Sequence, residues 1–107
     1  MWDIVDGLNT WYKEHYKDKG FFIISSVTET NRVAKVFKTI KTTLYYVRYN
    51  ESGKPVNTPI LNTQINYRVD SAEDKANAER GARAEMIKLI LDNIDKIKDY
   101  GRHNELE

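Results

Sequence analysis

The chain has 107 residues, with 17 Lys+Arg against 16 Asp+Glu, two His, two Pro and no Cys. That length fits one domain, and 40% hydrophobic with 31% charged residues is the balance of a folded globular chain. Without Cys there are no disulfides, no thiolate catalysis and no cysteine-bound zinc; no apolar run approaches the ~20 residues of a membrane helix, and the start Met1-Trp2-Asp3 does not read as a secretory leader, so a cytoplasmic location is expected.

Residues 3–19 are predicted to form a helix, with Ile4, Leu8, Trp11 and His15 as its apolar stripe. Asp3 is the expected N-cap with Asp6 as its acidic partner, and Gly20 the expected terminator. Residues 21–30 read as a strand. Its opening Phe21-Phe22-Ile23-Ile24 is apolar on both faces, so cover on both sides is expected, a second copy of the chain being one candidate for the further layer. Residues 31–42 carry helical spacing at Val33, Val36, Phe37 and Ile40, yet their β-branched content favours a strand after a turn at 29–32. Residues 43–49 alternate as a strand. Residues 50–59 hold both prolines and a Ser-Gly pair and read as a loop.

Residues 60–69 form the last predicted strand, with Ile65, Tyr67 and Val69 inward and Gln64, Asn66 and Arg68 outward. A long helix follows, capped by Ser71, with Glu73 and Asp74 in its first turn and Ala82, Met86, Leu89/Ile90, Ile94 and Ile97 as its buried stripe. Tyr100-Gly101 is its expected end. Thirty residues at a rise of ~1.5 Å span ~45 Å, so the helix must bend near Gly81 or project a sticky end bearing Ile87, Leu91, Ile94 and Ile97. The terminal Leu106-Glu107 reads as a cloning scar, leaving one domain over residues 1–105. The fold class is α+β: an antiparallel sheet of three or four strands between or beneath an N-terminal and a long C-terminal helix, in α-β-β-β-β-α order.

Charge is unevenly spread. Residues 21–69 carry seven bases against two acids, while residues 70–107 carry seven against ten. His15 and His103 are too few and too separate for a transition-metal site or an acid–base pair, and Ser52-Gly53-Lys54 has one glycine where a phosphate loop needs more. No catalytic residue, metal or cofactor is expected. If Tyr45, Val47 and Tyr49 face the core with Ile65 and Tyr67, then Tyr46, Arg48, Gln64, Asn66 and Arg68 share one wet surface, with Lys35 and Lys38 nearby. Such residues serve protein interfaces, and Tyr and Arg planes with basic neighbours also suit nucleic acid. They are equally ordinary outward residues of a strand. The expectation is a small non-catalytic binding or assembly protein, self-associating, with nucleic-acid binding through the basic sheet as the alternative.

Two family resemblances accompany this reading. The order helix, three strands, helix is similar to the double-stranded-RNA-binding domain, and residues 71–83 resemble that family's final helix, whose basic start grips phosphates. This chain has Glu73 and Asp74 where the family has bases. The strand 64–69 running through Asp70-Ser71 into a long helix resembles small phage tail-completion proteins, which assemble as rings; it covers about a third of the chain.

Overall fold

The β-branched and aromatic run from 37 to 49 forms a single strand, and the rest of the fold is laid against it. The computed structural model describes residues 2–16 and 20–105, with side chains through residue 100. Its elements are α1 (Asp3–His15), β1 (Phe21–Thr30), β2 (Phe37–Tyr49), β3 (Pro55–Arg68), α2 (Ala72–Asp92) and α3 (Ile94–Glu105). The strands make one antiparallel sheet in the order β1-β2-β3. Register runs straight until Leu44 pairs with Leu61 and Tyr45 with Pro59, leaving Ile60 as the extra residue of a bulge.

All three helices cover one side of the sheet. α1 lies on β1, and α2 lies chiefly on β3. The main core joins Val5, Leu8 and Tyr12 of α1 to Phe22, Leu44 and Tyr46 of the sheet and to Met86, Ile90 and Ile97 of the later helices. A smaller cluster, Ile40, Tyr67, Ala78 and Ala82, fills the far end. Between them runs an in-register polar row, Ser26, Thr42 and Thr63, with Thr42 and Thr63 buried. The small side chains of α2 let it lie close to β3: a Cβ on Gly81 would meet Ile65 Cδ1 at 3.5 Å, an ordinary contact. The molecule measures 48 × 28 × 19 Å, and its radius of gyration of 16.2 Å exceeds the ~13 Å of a typical domain this size. Its thinnest dimension suits one sheet and one helix layer at ~10 Å spacing.

Several sequence expectations are corrected. The sheet has three strands, because 37–42 and 43–49 are one element, and residues 31–36 form the preceding turn. The supposed loop 50–59 shrinks to a tight turn in which Asn50 Oδ1 accepts from the backbone N–H of Ser52 and Lys54, with Gly53 at φ 78°. Both prolines then fall within β3, an edge strand, where a missing N–H is tolerated. α1 buries Val5, Leu8 and Tyr12; of the expected stripe Leu8 is buried, Ile4 and Trp11 pack half-buried against the core, and His15 is exposed. Its N-cap is Trp2, with no side-chain cap bond. The predicted helical stretch 17–19 and the Leu106-Glu107 scar lie outside the described residues. Ser71 does cap α2, accepting from Asp74 N at 3.2 Å. The long helix neither bends at Gly81 nor projects. It breaks at Asn93, whose side-chain amide donates to Leu89 O, and α3 folds back to bury Ile97 and continues past Gly101. Leu91 stays exposed.

Two features set the tightest packing. A Cβ at Gly20 would lie 2.6 Å from Val47 O and 2.7 Å from the Tyr46 ring and hydroxyl, so Gly20→Ala should lower stability by about 1–3 kcal/mol, read as a fall of several degrees in Tm. The Tyr12 hydroxyl donates to Ile97 O at 2.5 Å, whereas the buried Tyr46 hydroxyl has no partner among the described residues. Tyr12→Phe should therefore cost about 1 kcal/mol, while Tyr46→Phe should leave Tm unchanged or raise it.

Candidate docking surface

Alternation along the strands sends opposite sets of side chains to the two sides of the sheet, so the phase of β2 decides what the uncovered side displays. Tyr46 points to the helices. Its ring lies 5.2 Å from Phe22, 6.1 Å from Tyr12 and 4.9 Å from Tyr100, and burial pushes its hydroxyl pKa up. The expectation that Tyr46 faces solvent is thus corrected: it is 1% exposed. Arg48 and Lys38 have the same parity and share that side, Lys38 opposite Tyr67 and Arg48 opposite Val56. Gln64, Asn66 and Arg68 are exposed on the other side, as expected, while Lys35 sits exposed in the turn before β2. The seven candidate residues therefore do not form one surface.

Tyr45 and Tyr49 take the place assigned to Tyr46 and Arg48, while Val47, on the same side, is only 4% exposed. The uncovered side is built of cross-strand rows: Glu29-Thr39-Asn66, Val27-Lys41-Gln64, Ser25-Thr43-Asn62, Ile23-Tyr45-Pro59 and Phe21-Val47-Asn57, with Tyr49 beside Pro55. It divides into two zones. Along β3 it is polar and self-satisfied, Thr39 Oγ1 donating to Asn66 Oδ1 at 2.6 Å and Thr43 Oγ1 to Asn62 Oδ1 at 2.9 Å. Along β1 and the end of β2 it is apolar, with Phe21 36%, Ile23 39%, Val27 50% and Tyr49 63% exposed. The expected cover over both faces of Phe21–Ile24 is absent among the described residues: Phe22 is buried, and Phe21 and Ile23 are bare.

The cations of this side are already engaged. Lys41 Nζ lies 2.8 Å from Glu29 Oε2, and Arg68 donates to both Asp70 oxygens at 3.1 Å. The Lys41 hydrogen bond and charge hold the Glu29 carboxyl below its usual range, and Arg68 does the same for Asp70. Asp70 in turn raises Arg68.

One contact on the β1 edge has no signal in the sequence. Asn9 of α1 is half-buried, and its side-chain amide grips the backbone of Phe22 on both counts, Nδ2 donating to Phe22 O at 2.9 Å and Oδ1 accepting from Phe22 N at 2.6 Å. The amide imitates a neighbouring strand at that one residue. No local pattern marks it, because the partners are brought together only by α1 docking on β1.

Elsewhere the chemistry is sparse. His15 is exposed, stacks on Trp11 at 4.1 Å and sets Nδ1 2.8 Å from Trp11 O. An open groove of about 530 Å³ lies between β3 and α2, lined in part by Asn66, Arg68, Asp74 and Asn77. Among the described residues no three His, Cys, Asp or Glu side chains gather as a metal site, and no helix is long and apolar enough to cross a membrane.

No protein-family model, curated protein or solved structure matches the chain. Neither the double-stranded-RNA-binding nor the phage tail-completion resemblance gains support from them.

The two ion pairs have a testable signature. A carboxylate with a depressed folded pKa contributes stability above its unfolded pKa and loses it as pH falls through the folded value. Glu29 and Asp70, ordinarily near 4.5 and 3.8, should follow that course, weakly because both are fully exposed. The stability difference between the native chain and Glu29→Gln, followed by denaturant titration, should be present at neutral pH and vanish in strong acid. High salt should shrink it at neutral pH.

Proposed function

We propose that the chain is a non-catalytic assembly module that associates with copies of itself through the uncovered side of its sheet. The observation that carries this is the apolar zone of Phe21, Ile23 and Val27 beside Tyr45 and Tyr49, on a side that no described helix covers. Exposed apolar side chains grouped in this way mark interaction sites more often than scattered ones do. The same arrangement weighs against the nucleic-acid alternative. Phosphate binding needs available cations and stacking needs available rings. Here Phe21 and Tyr49 are exposed rings, but the cations on their side, Lys41 and Arg68, already face carboxylates.

Light scattering or sedimentation across a concentration series should show a dimer or larger species, shifted toward monomer by Ile23→Glu. A monomer throughout would overturn the proposal. Mixed-sequence DNA and RNA at low salt should not bind; binding that falls on Arg48→Ala or Arg68→Ala and weakens steeply with salt would put the nucleic-acid reading in its place.

A further inference from the structure

We propose that two copies join through the free edges of β1, paired antiparallel about a two-fold axis at Val27, turning two three-stranded sheets into one of six strands. This rests on the reading that the chain self-associates, and it places the contact at the β1 edge that borders the uncovered side instead of on that side itself.

The backbone supplies the first argument. In an antiparallel strand the N–H and C=O of one residue point to the same side, and the side alternates with each residue. Both groups of Phe22 point away from β2, since Asn9 binds them. Asn31, of opposite parity, donates toward β2 at Phe37 O. The outward residues of β1 beyond Phe22 are therefore Ile24, Ser26, Thr28 and Thr30. Among the described elements no strand pairs with that edge. From Ser26 to Thr30 every residue is exposed, so no helix shields the edge there.

The two edges of the sheet differ. β3 carries Pro55 and Pro59, a device by which native edges are blunted. β1 has no proline and a single charge, Glu29, in ten residues. An edge left in that state is built to be paired.

Register selects the partner. A two-fold axis at Val27 sets Ile24 against Thr30 and Ser26 against Thr28, engaging all the outward groups in about eight backbone hydrogen bonds. Glu29 then lies opposite Ser25 rather than its own copy, and Val27 meets Val27 on the uncovered side. Moving the axis to Ser26 would drive Thr30 of the copy onto Phe22, where Asn9 sits. Moving it to Glu29 would set two like charges together. The strand is thus complementary to itself in the register that engages most of its free groups; an axis at Thr28 would leave Ile24 unpaired. A ladder this short falls below the ~800 Å² per partner of a standard interface, so the dimer forms reversibly and is concentration-dependent.

The chain contains no Cys, which makes the axis directly addressable. Across a non-hydrogen-bonded antiparallel pair the Cα atoms lie ~4.5 Å apart, within disulfide reach. Val27→Cys in the full chain, oxidised with oxidised glutathione, should give disulfide-linked dimer roughly tenfold or more faster than Val33→Cys, whose site in the turn is 97% exposed. Ser26→Pro, which removes an outward N–H, should shift the native chain to monomer in light scattering with its circular dichroism retained. If the chain dimerises but Val27→Cys links no faster than Val33→Cys and Ser26→Pro leaves the mass unchanged, edge pairing is wrong and self-association stands. If no concentration yields a dimer, both fail.

Discussion

The hydrogen bond from the Tyr12 hydroxyl to Ile97 O ties the first helix to the last. It holds α3 against α1, which brings Tyr100 over Tyr46 and closes a ring cluster with Phe22. Aromatic contacts of this kind stabilise by about 0.5–1.5 kcal/mol beyond the area they bury. The cluster also fixes a choice that local sequence leaves open. Once Tyr46 is inside, alternation sends Tyr45, Val47 and Tyr49 to the uncovered side, and the register with β1 sends Phe21, Ile23 and Val27 there too. One internal contact set thereby determines the composition of the external surface.

That dependence explains how much of the protein could be read from its residues. The α+β class, the α1 segment, the strand at 21–30 and the Ser71 cap of α2 were legible, because each rests on a short-range signal: periodicity, β-branching or a capping side chain. The phase of β2 was not. Leu44 and Tyr46 on one side and Tyr45, Val47 and Tyr49 on the other are both plausible core sets, so composition cannot choose between them. A one-residue error in phase moves every side chain across the sheet, which is why Tyr46 and Arg48 were placed with Gln64, Asn66 and Arg68.

The other misreadings share this cause. The prolines at 55 and 59 signal a loop unless the strand is known to be an edge, and edge position is a property of the whole sheet. The break at Asn93 replaces the expected bend at Gly81, because Ile97 and Tyr100 gain more by folding back onto the aromatic cluster than by extending the helix into water. Asn9 is polar on a helix surface in any local view, yet in the fold it completes the edge of β1.

The polar row Ser26-Thr42-Thr63 marks where these arguments meet. On one side of it, β1 is held by burial: Phe22 and Ile24 pack with α1, and Asn9 satisfies the outward backbone of Phe22. From Ser26 onward β1 has water on both faces and is held to the molecule by its ladder with β2, the Ser26 Oγ–Thr42 Oγ1 hydrogen bond at 3.3 Å and the Glu29–Lys41 pair. An exposed ion pair contributes little, and the net value of a backbone hydrogen bond in water is only about 0.5–1.5 kcal/mol. The half of β1 that lacks helix cover is thus also the half whose outward backbone groups no described residue engages. A strand added at that edge would supply hydrogen bonds from both flanks to the segment least supported from within. The fold leaves its weakest strand segment and its most available pairing edge in the same five residues, Ser26–Thr30.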